Sequence, residues 1–295
     1  MRWCDKGGEI LFQSEMEQIK ARLEAEGRIQ VNDLLRRILE DDRKDPGKAF
    51  MKIGERYYNG EHDILQTDFR RTTIYEDDAS GNPVGRAFVN ENNSNYHNVH
   101  NFHRQHVDQK VAYISGRPPS VTVEGAQEDE SLKRFEHLIT AVTSDEAFAD
   151  MLQDLETGAS NKGVEWLHLY YDPLGVLRYT IVPAEACIPI YDTAYQKELL
   201  GMIRRYELTE TDSHGKKRSV LHLEWWTKRD VTHFTENKPG EFLLLQSVPH
   251  WFGVIKIDGR IVRREPNGWG RVPFIPLYNN SRAQSDLLQN KGLID

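Results

Sequence analysis

The chain reads as an α+β protein, with a helical N-terminal part followed by an antiparallel, β-rich part. Two observations predict this order. Up to about residue 158, apolar residues recur every three or four positions in stretches bounded by helix starts and stops. From residue 163 onward the texture changes to alternating runs rich in Tyr, Trp, Val and Ile, broken by turn residues, as in antiparallel strands. Helices first and strands later is the α+β pattern.

Within 1–60, three helices are expected. The first is "EILFQSEMEQIKARLEAEG" at 9–27, with Ile10, Met16, Ile19 and Leu23 on one side and Gly27 as its stop. The second, "VNDLLRRILEDDRKD", carries Val31, Leu34, Leu35 and Ile38, with Asn32 as the candidate cap. The third, "PGKAFMKIGERYYNG", has Pro46 in its first turn and Gly60 at its end.

Residues 61–162 form a mixed segment. "DFRRTTIYED" reads as a short strand, and "DDASGNPVG" and "NENNSN" as loops. A central helix is expected over 97–115, capped by Asn98 or Asn101 and stopped by "SGRPP", with Gly116 in a left-handed cap and Pro118 preventing further helix. "SVTVEG" alternates like a strand. Further helices are expected at 130–141 and 144–158, the second with Asp145 and Glu146 at its start.

Residues 163–272 are read as the β-rich part. "GVEWLHLYYDPLGVLRYTIVP" is a hairpin, the stretch from Leu199 to about residue 237 a meander, and "WFGVIKIDGRIVRREPNG" two strands turning at Asp258-Gly259. Residues 273–295 then make a connection. Gly268 and Gly270 allow unusual backbone angles, Pro273 and Pro276 stiffen the chain, and Phe274, Ile275 and Leu277 pin it as a rigid strap. The last residues, "AQSDLLQNKGLID", read as the start of another element.

At 295 residues the chain can bury a substantial core. A formal net charge of -8 argues against a DNA-wrapping surface. Cys4 and Cys187 are far apart and form no CxxC, which fits a reducing compartment and neither a disulfide scaffold nor a zinc ribbon. The N-terminus lacks the apolar run of a signal peptide, and no apolar stretch is long enough for a membrane span.

Four histidines, His97, His100, His103 and His106, fall three residues apart on the central helix. Each step of three turns a helix by about 300°, so the set drifts around the surface and only neighbouring pairs share a side. Asp108 points about half a turn away from the His103/His106 pair. The two-histidine, one-glutamate spacing of a zinc hydrolase is absent, and packing or hydrogen bonding is the plainer role. Phe102, Val107, Val111, Tyr113 and Ile114 supply apolar contacts on this helix, opposite Arg104, Gln105, Asp108, Gln109 and Lys110.

"GKKRS" at 215–219 lacks the complete phosphate-loop pattern and reads as a hairpin tip. The carboxylates at Asp41, Asp42, Asp77, Asp78 and 128–130 read as solvated loops and helix backs. Strand alternation puts one of Trp225 and Trp226 inward and the other outward. An outward tryptophan is either covered by its own chain or anchors a subunit interface.

The ordered series "ERYYNGEHDIL", "NNSNYHNVHNFHRQHVDQKVAYISGRPP", "IVPAEACIPIYD", "GWGRVPFIPLYNN" and "DLLQNKGLID" resembles the portal (connector) proteins of tailed bacteriophages and prophages of Gram-positive bacteria. The resemblance covers about residues 50–295; no single motif in it decides, but the ordered combination is specific.

It implies a structural subunit and no enzyme, with no catalytic residue, metal or cofactor. Copies would form a ring, typically of twelve, at one capsid vertex, with double-stranded DNA passing through without sequence-specific binding. Implied partners are the large terminase subunit, head-completion or adaptor proteins, scaffold and the major capsid protein, with no membrane. The implied location is the virion portal vertex, and the bacterial host cytoplasm during assembly.

The family pattern continues past "KGLID" into stem and clip, so the chain is expected to be a fragment that covers the wing up to the start of the stem. Subunit contacts are expected on the helices at 97–115 and 130–158, at His103 and Arg104, and around Trp225 and Trp226. Two rival readings are a metal-dependent hydrolase using His100, His103 or His106, and a DNA-binding module using the basic tip at 215–218.

Overall fold

A computed structural model describes residues 29–294, apart from breaks at 78–79, 81–82, 118, 126–127, 173–175, 193–197, 212–214, 216 and 258–259. The helix expected at 9–27 lies outside the described residues, as does the turn at Asp258-Gly259.

Helix α1 (Ile29–Lys44) begins earlier than expected. Asn32 is therefore inside the helix and does not cap it. Its Oδ1 instead accepts the backbone N–H of Phe242 at 2.7 Å, which ties α1 to the sheet. Helix α2 (Pro46–Tyr58) starts as expected at Pro46, with the Asp45 carboxylate accepting the Gly47 N–H at 2.8 Å. It ends at Asn59, and Gly60 takes the left-handed conformation, φ 84°.

Strand β1 (Arg71–Asp77) finds its partner where a loop was expected. β2 (Pro83–Val89) takes the end of "DDASGNPVG" and pairs antiparallel with β1, Thr72 opposite Phe88. Val84, Phe88 and Val89 suit a strand, and a neighbouring strand outweighed the Gly and Pro signals.

Helix α3 runs over Phe102–Ser115, so 97–101 lie outside it. The Asn101 side chain accepts the Arg104 N–H at 3.1 Å and fixes the start. Gly116 has φ -67°, not the left-handed conformation expected of it. "SVTVEG" is irregular and carries no strand; with no neighbour to pair with, alternation alone does not make one.

Helices α4 (Glu130–Thr143) and α5 (Glu146–Lys162) are capped by Asp129 and Asp145 and run past the expected ends. The sequence then turns to strands. β3 (Val164–Tyr171) lies between β4 (Leu177–Val182) and the late strand β12 (Phe274–Tyr278). The strap thus contains an edge strand, the place where Pro276 is tolerated.

A second sheet is a five-stranded antiparallel meander: β5 (Cys187–Tyr191), β6 (Leu199–Thr211), β7 (Lys217–Trp226), β8 (Asp230–Lys238) and β9 (Glu241–Pro249). β10 (Trp251–Ile257) and β11 (Arg260–Asn267) form a separate hairpin, and α6 (Leu287–Ile294) closes the described chain.

The two larger sheets pack face to face. Val164, Trp166, Val182 and Phe274 of the smaller meet Cys187, Met202, Trp226 and Val231 of the larger. On the other face of the meander, Leu35 of α1 is fully buried with Ile203, Leu223, Trp225, Phe234 and Phe242. The meander is therefore covered on both faces, by a sheet on one and a helix on the other.

The helical layer meets the sheets at close backbone crossings. A Cβ on Gly54 of α2 would sit 1.9 Å from the Asn161 carbonyl oxygen of α5. Gly163, φ 96°, ends α5, and a Cβ there would sit 2.2 Å from the Ala283 carbonyl oxygen. Both positions admit glycine alone without displacing backbone.

Candidate assembly interface

The four sequence-predicted histidines do not converge. His97 Nε2 lies 2.6 Å from the Thr67 carbonyl oxygen. The His100 ring packs beside Phe102. His103 is 2% exposed, and its Nε2 meets Asn161 Oδ1 at 3.0 Å. Burial lowers its pKa, so the ring is held neutral. His106 faces solvent. Asp108 accepts the Tyr58 hydroxyl at 2.7 Å. Among the described residues, no three His, Cys, Asp or Glu side chains are grouped to hold a metal.

The four residues expected at a subunit interface fall in different settings. Trp225 is 4% and Trp226 9% exposed. They point to opposite faces, as alternation requires, but α1 covers one face and the smaller sheet the other. Trp226 Nε1 donates to Glu224 Oε2 at 3.0 Å. With His103 also enclosed, Arg104 alone of the four stands on the surface. Its guanidinium lies 5.4 Å from the Tyr58 ring centroid and 3.5 Å from the Asp108 carboxylate. At the basic tip, Arg218 donates to the carbonyl oxygens of Glu236 and Asn237 at 3.2 and 3.0 Å, bracing β7 against the end of β8.

Sequence reasoning missed the charged junctions that hold the layers together. Lys162, at the end of α5, is buried among Glu55 of α2, Glu165 of β3 and Glu185, at 2.8, 2.9 and 3.1 Å. Burial alone would lower the Lys162 pKa, but the three carboxylates outweigh it and hold the ammonium above its usual range. Burial raises the Glu165 pKa. A second junction centres on Asp42 of α1, 3.0 Å from Arg205 and 3.5 Å from Lys48, whose ammonium also donates to the Ala184 and Cys187 carbonyls.

Helix α6 is held by two more. Lys110 of α3 meets Asp286 at 2.8 Å, and Lys291 meets Asp63 at 2.7 Å while lying over the Tyr57 ring. The hydrogen bond from Lys291, with that from Arg56, holds the Asp63 carboxyl at about 2. These partners are remote in sequence, and no local pattern marks them.

What remains outside is apolar surface on the helices. Tyr113 of α3 is 89% exposed; on α4, Phe135 is 54% and Leu138 66% exposed. Patches of this kind, beside charged residues, suit contact with another protein. The described residues thus form a braced body with uncovered helix faces.

The family model "Phage portal protein, SPP1 Gp6-like" matches residues 48–295. The chain belongs to this portal protein family. It is similar to the portal protein of Bacillus phage SPP1, 27% identical over 266 residues, which covers 89% of this chain and 46% of that protein. It is also similar to the portal protein of Clostridium phage phiCD119, 26% identical over 199 residues, covering 64% of this chain and 39% of that protein. The chain thus spans less than half the length of these two portal relatives. Both relatives come from phages of Gram-positive hosts, as the sequence resemblance implied. Among the described residues, no helix is long and apolar enough to cross a membrane.

Proposed function

We propose that this chain is the wing-like part of a portal ring subunit, placed at one capsid vertex, where the ring is a passive conduit for double-stranded DNA during packaging and ejection. The observation that carries the reading is the portal family match over residues 48–295. The braced architecture supports it: a body that bears load without chemistry gains from layers joined by buried ion pairs and close backbone crossings. The chain's work is mechanical. ATP hydrolysis belongs to the terminase, which docks on the ring, as do head-completion proteins, scaffold and the major capsid protein. The protein acts in the virion and assembles in the host cytoplasm. A net charge of -8 suits a part that must let DNA slide, since cationic tracking surfaces grip it in a salt-dependent manner.

The reading is tested by imaging the purified protein over a range of concentrations. Annular particles with an open centre are expected, and a strictly monomeric protein at every concentration overturns it. A DNA titration at two salt concentrations separates the rival DNA-binding reading, which requires tight, steeply salt-dependent binding. Metal analysis of untagged protein separates the hydrolase reading, which requires a stoichiometric metal.

A further inference from the structure

We propose that the imidazole of His250 is a proton-operated lock at the root of the β10–β11 hairpin: neutral, it fixes the hairpin to the two-sheet body, and protonated, it lets the hairpin swing. The proposal goes beyond the ring reading and does not rest on it.

The hairpin stands apart from the larger sheets. β10 and β11 pair with each other and with no strand of those sheets. A two-stranded ribbon of this kind depends on its attachments for a fixed direction. These lie at its root, where Trp251 opens β10 opposite Asn267 at the end of β11. The Trp269 ring is parallel to that of Tyr171, the last residue of β3, with centroids 5.1 Å apart and 3° between the planes. The Trp251 ring meets both edge-on, at 5.3 Å from Tyr171 and 4.7 Å from Trp269. Three rings from three segments thus set the angle of the hairpin to the smaller sheet.

Two backbone bonds moor the legs on the turn between β7 and β8. The His250 N–H donates to the Arg229 carbonyl at 3.1 Å, and the Gly270 N–H to the Lys228 carbonyl at 3.0 Å. The His250 ring ties the legs to each other. Its Nδ1 accepts the Trp269 N–H at 3.3 Å, and its Nε2 lies 3.2 Å from the Asp230 carbonyl oxygen. A nitrogen that accepts an N–H carries no proton, so the ring is the neutral tautomer with its hydrogen on Nε2, donated to Asp230. A second proton can go only to Nδ1. It sets two N–H groups against each other, and Trp269 has to leave, taking its ring out of the stack. The backbone moorings contain no titrating group and remain as pivots.

The surroundings set where the lock works. Burial lowers the His250 pKa, while the Asp230 carbonyl, the Asp230 carboxylate and the Thr227 carbonyl oppose that shift. The carboxylate is itself held by the Thr227 hydroxyl at 2.7 Å. Lys228, paired with Glu198 at 2.6 Å, and Arg229 are the cations of the turn. His168 of β3 lies across the Trp226 ring, whose centroid is 4.5 Å from His168 and 5.5 Å from His250, and a charge on His250 disfavours one on His168. The folded protein therefore binds the His250 proton less readily than the unfolded chain. The closed root is complete above pH 6.5, the ordinary histidine value, and gives way as pH falls below it.

The test is amide hydrogen exchange of the whole chain, read by mass spectrometry as protection factors between pH 8 and pH 5. Protection of 250–270 is expected to fall by about tenfold or more, while 200–226 in the core of the meander stays protected. His250→Asn puts an amide oxygen near the place of Nδ1, keeps the acceptor and cannot titrate, and its root is expected to stay closed at both ends of the range. His250→Ala, with no acceptor, is expected to be loose already at pH 8. His168→Phe is expected to leave the acid loosening of 250–270 in place. Unchanged protection of 250–270 down to pH 5 overturns the lock, as does acid loosening that persists in His250→Asn. Loss from root and core together makes the effect global and also overturns it. A His250→Asn root as loose as that of His250→Ala at pH 8 overturns the bond to Trp269 as the tie.

Discussion

Lys162 and Glu165 lie side by side in the interior, Nζ to Oε2 at 2.9 Å, with each side chain 3% exposed. Glu55 and Glu185 complete the shell around the same ammonium. One cation therefore joins α2, α5, β3 and the short turn before β5. Removing it strands three carboxylates together. Lys162→Met is expected to destabilise the fold by about 3–5 kcal/mol, the cost of breaking a buried pair from one side. Equilibrium denaturation in urea measures this, and a loss below about 1 kcal/mol refutes the junction's role.

His168 contributes to acid sensitivity. Its ring is enclosed by Trp226 and Phe274, its Nδ1 meets the Pro273 carbonyl, and burial holds its pKa at about 4, against 6.5 for a free histidine. The folded protein thus binds its proton less readily than the unfolded chain. The stability due to the neutral ring is complete above pH 6.5 and is lost as pH falls toward 4. The expected loss across that window is roughly 3 kcal/mol. Denaturation midpoints at pH 7.5 and 4.5 give the difference, and His168→Phe is expected to reduce it.

The Lys291–Asp63 pair is a handle on α6. In Lys291→Gln, the Asp63 carboxyl, now at about 2, is expected to titrate closer to the ordinary aspartate range. A carbon-detected NMR titration reads this directly. Faster amide exchange in residues 287–294 is expected alongside, since Arg56 and Tyr57 then hold Asp63 but no longer hold the helix.

Gly163→Ala tests the crossing between α5 and the 283–285 segment. Its positive φ and the approach of the Ala283 carbonyl leave no room for a methyl group. The expected cost is roughly 2 kcal/mol or more, seen as a lower denaturation midpoint.

Leu35→Ala tests whether α1 is integral to the body. Leu35 is fully buried against the meander. A loss of about 2–5 kcal/mol is expected, with the core around Trp225 loosened and its fluorescence shifted to the red.

Much of the local structure was legible in the sequence, because its causes are local. Pro46, Gly60, Asn101 and Asp145 sit at helix ends that single residues specify. The order of helices before strands followed from the change of period near residue 163. What lay hidden depended on contacts remote in the chain. Asn32 resembles a cap until Phe242 arrives to use its oxygen. β2 resembles a loop until β1 supplies hydrogen-bond partners. Alternation separated Trp225 from Trp226 correctly, but nothing near them tells that α1 covers the second face. α4 was readable as a helix, whereas the exposure of its Phe135 and Leu138 was not, since the pattern of one helix does not tell which of its faces the rest of the fold leaves open.

The attachments of α6 decide where a pull on it would travel. Its ties run to α3 through Lys110 and to α2 through Tyr57 and through Asp63, which Arg56 of α2 holds, and both of those helices lean on α5. Tension on the last helix is thus shared out sideways through a lattice of crossed rods before any strand is strained, and the two-sheet body rides behind it as ballast that need not deform.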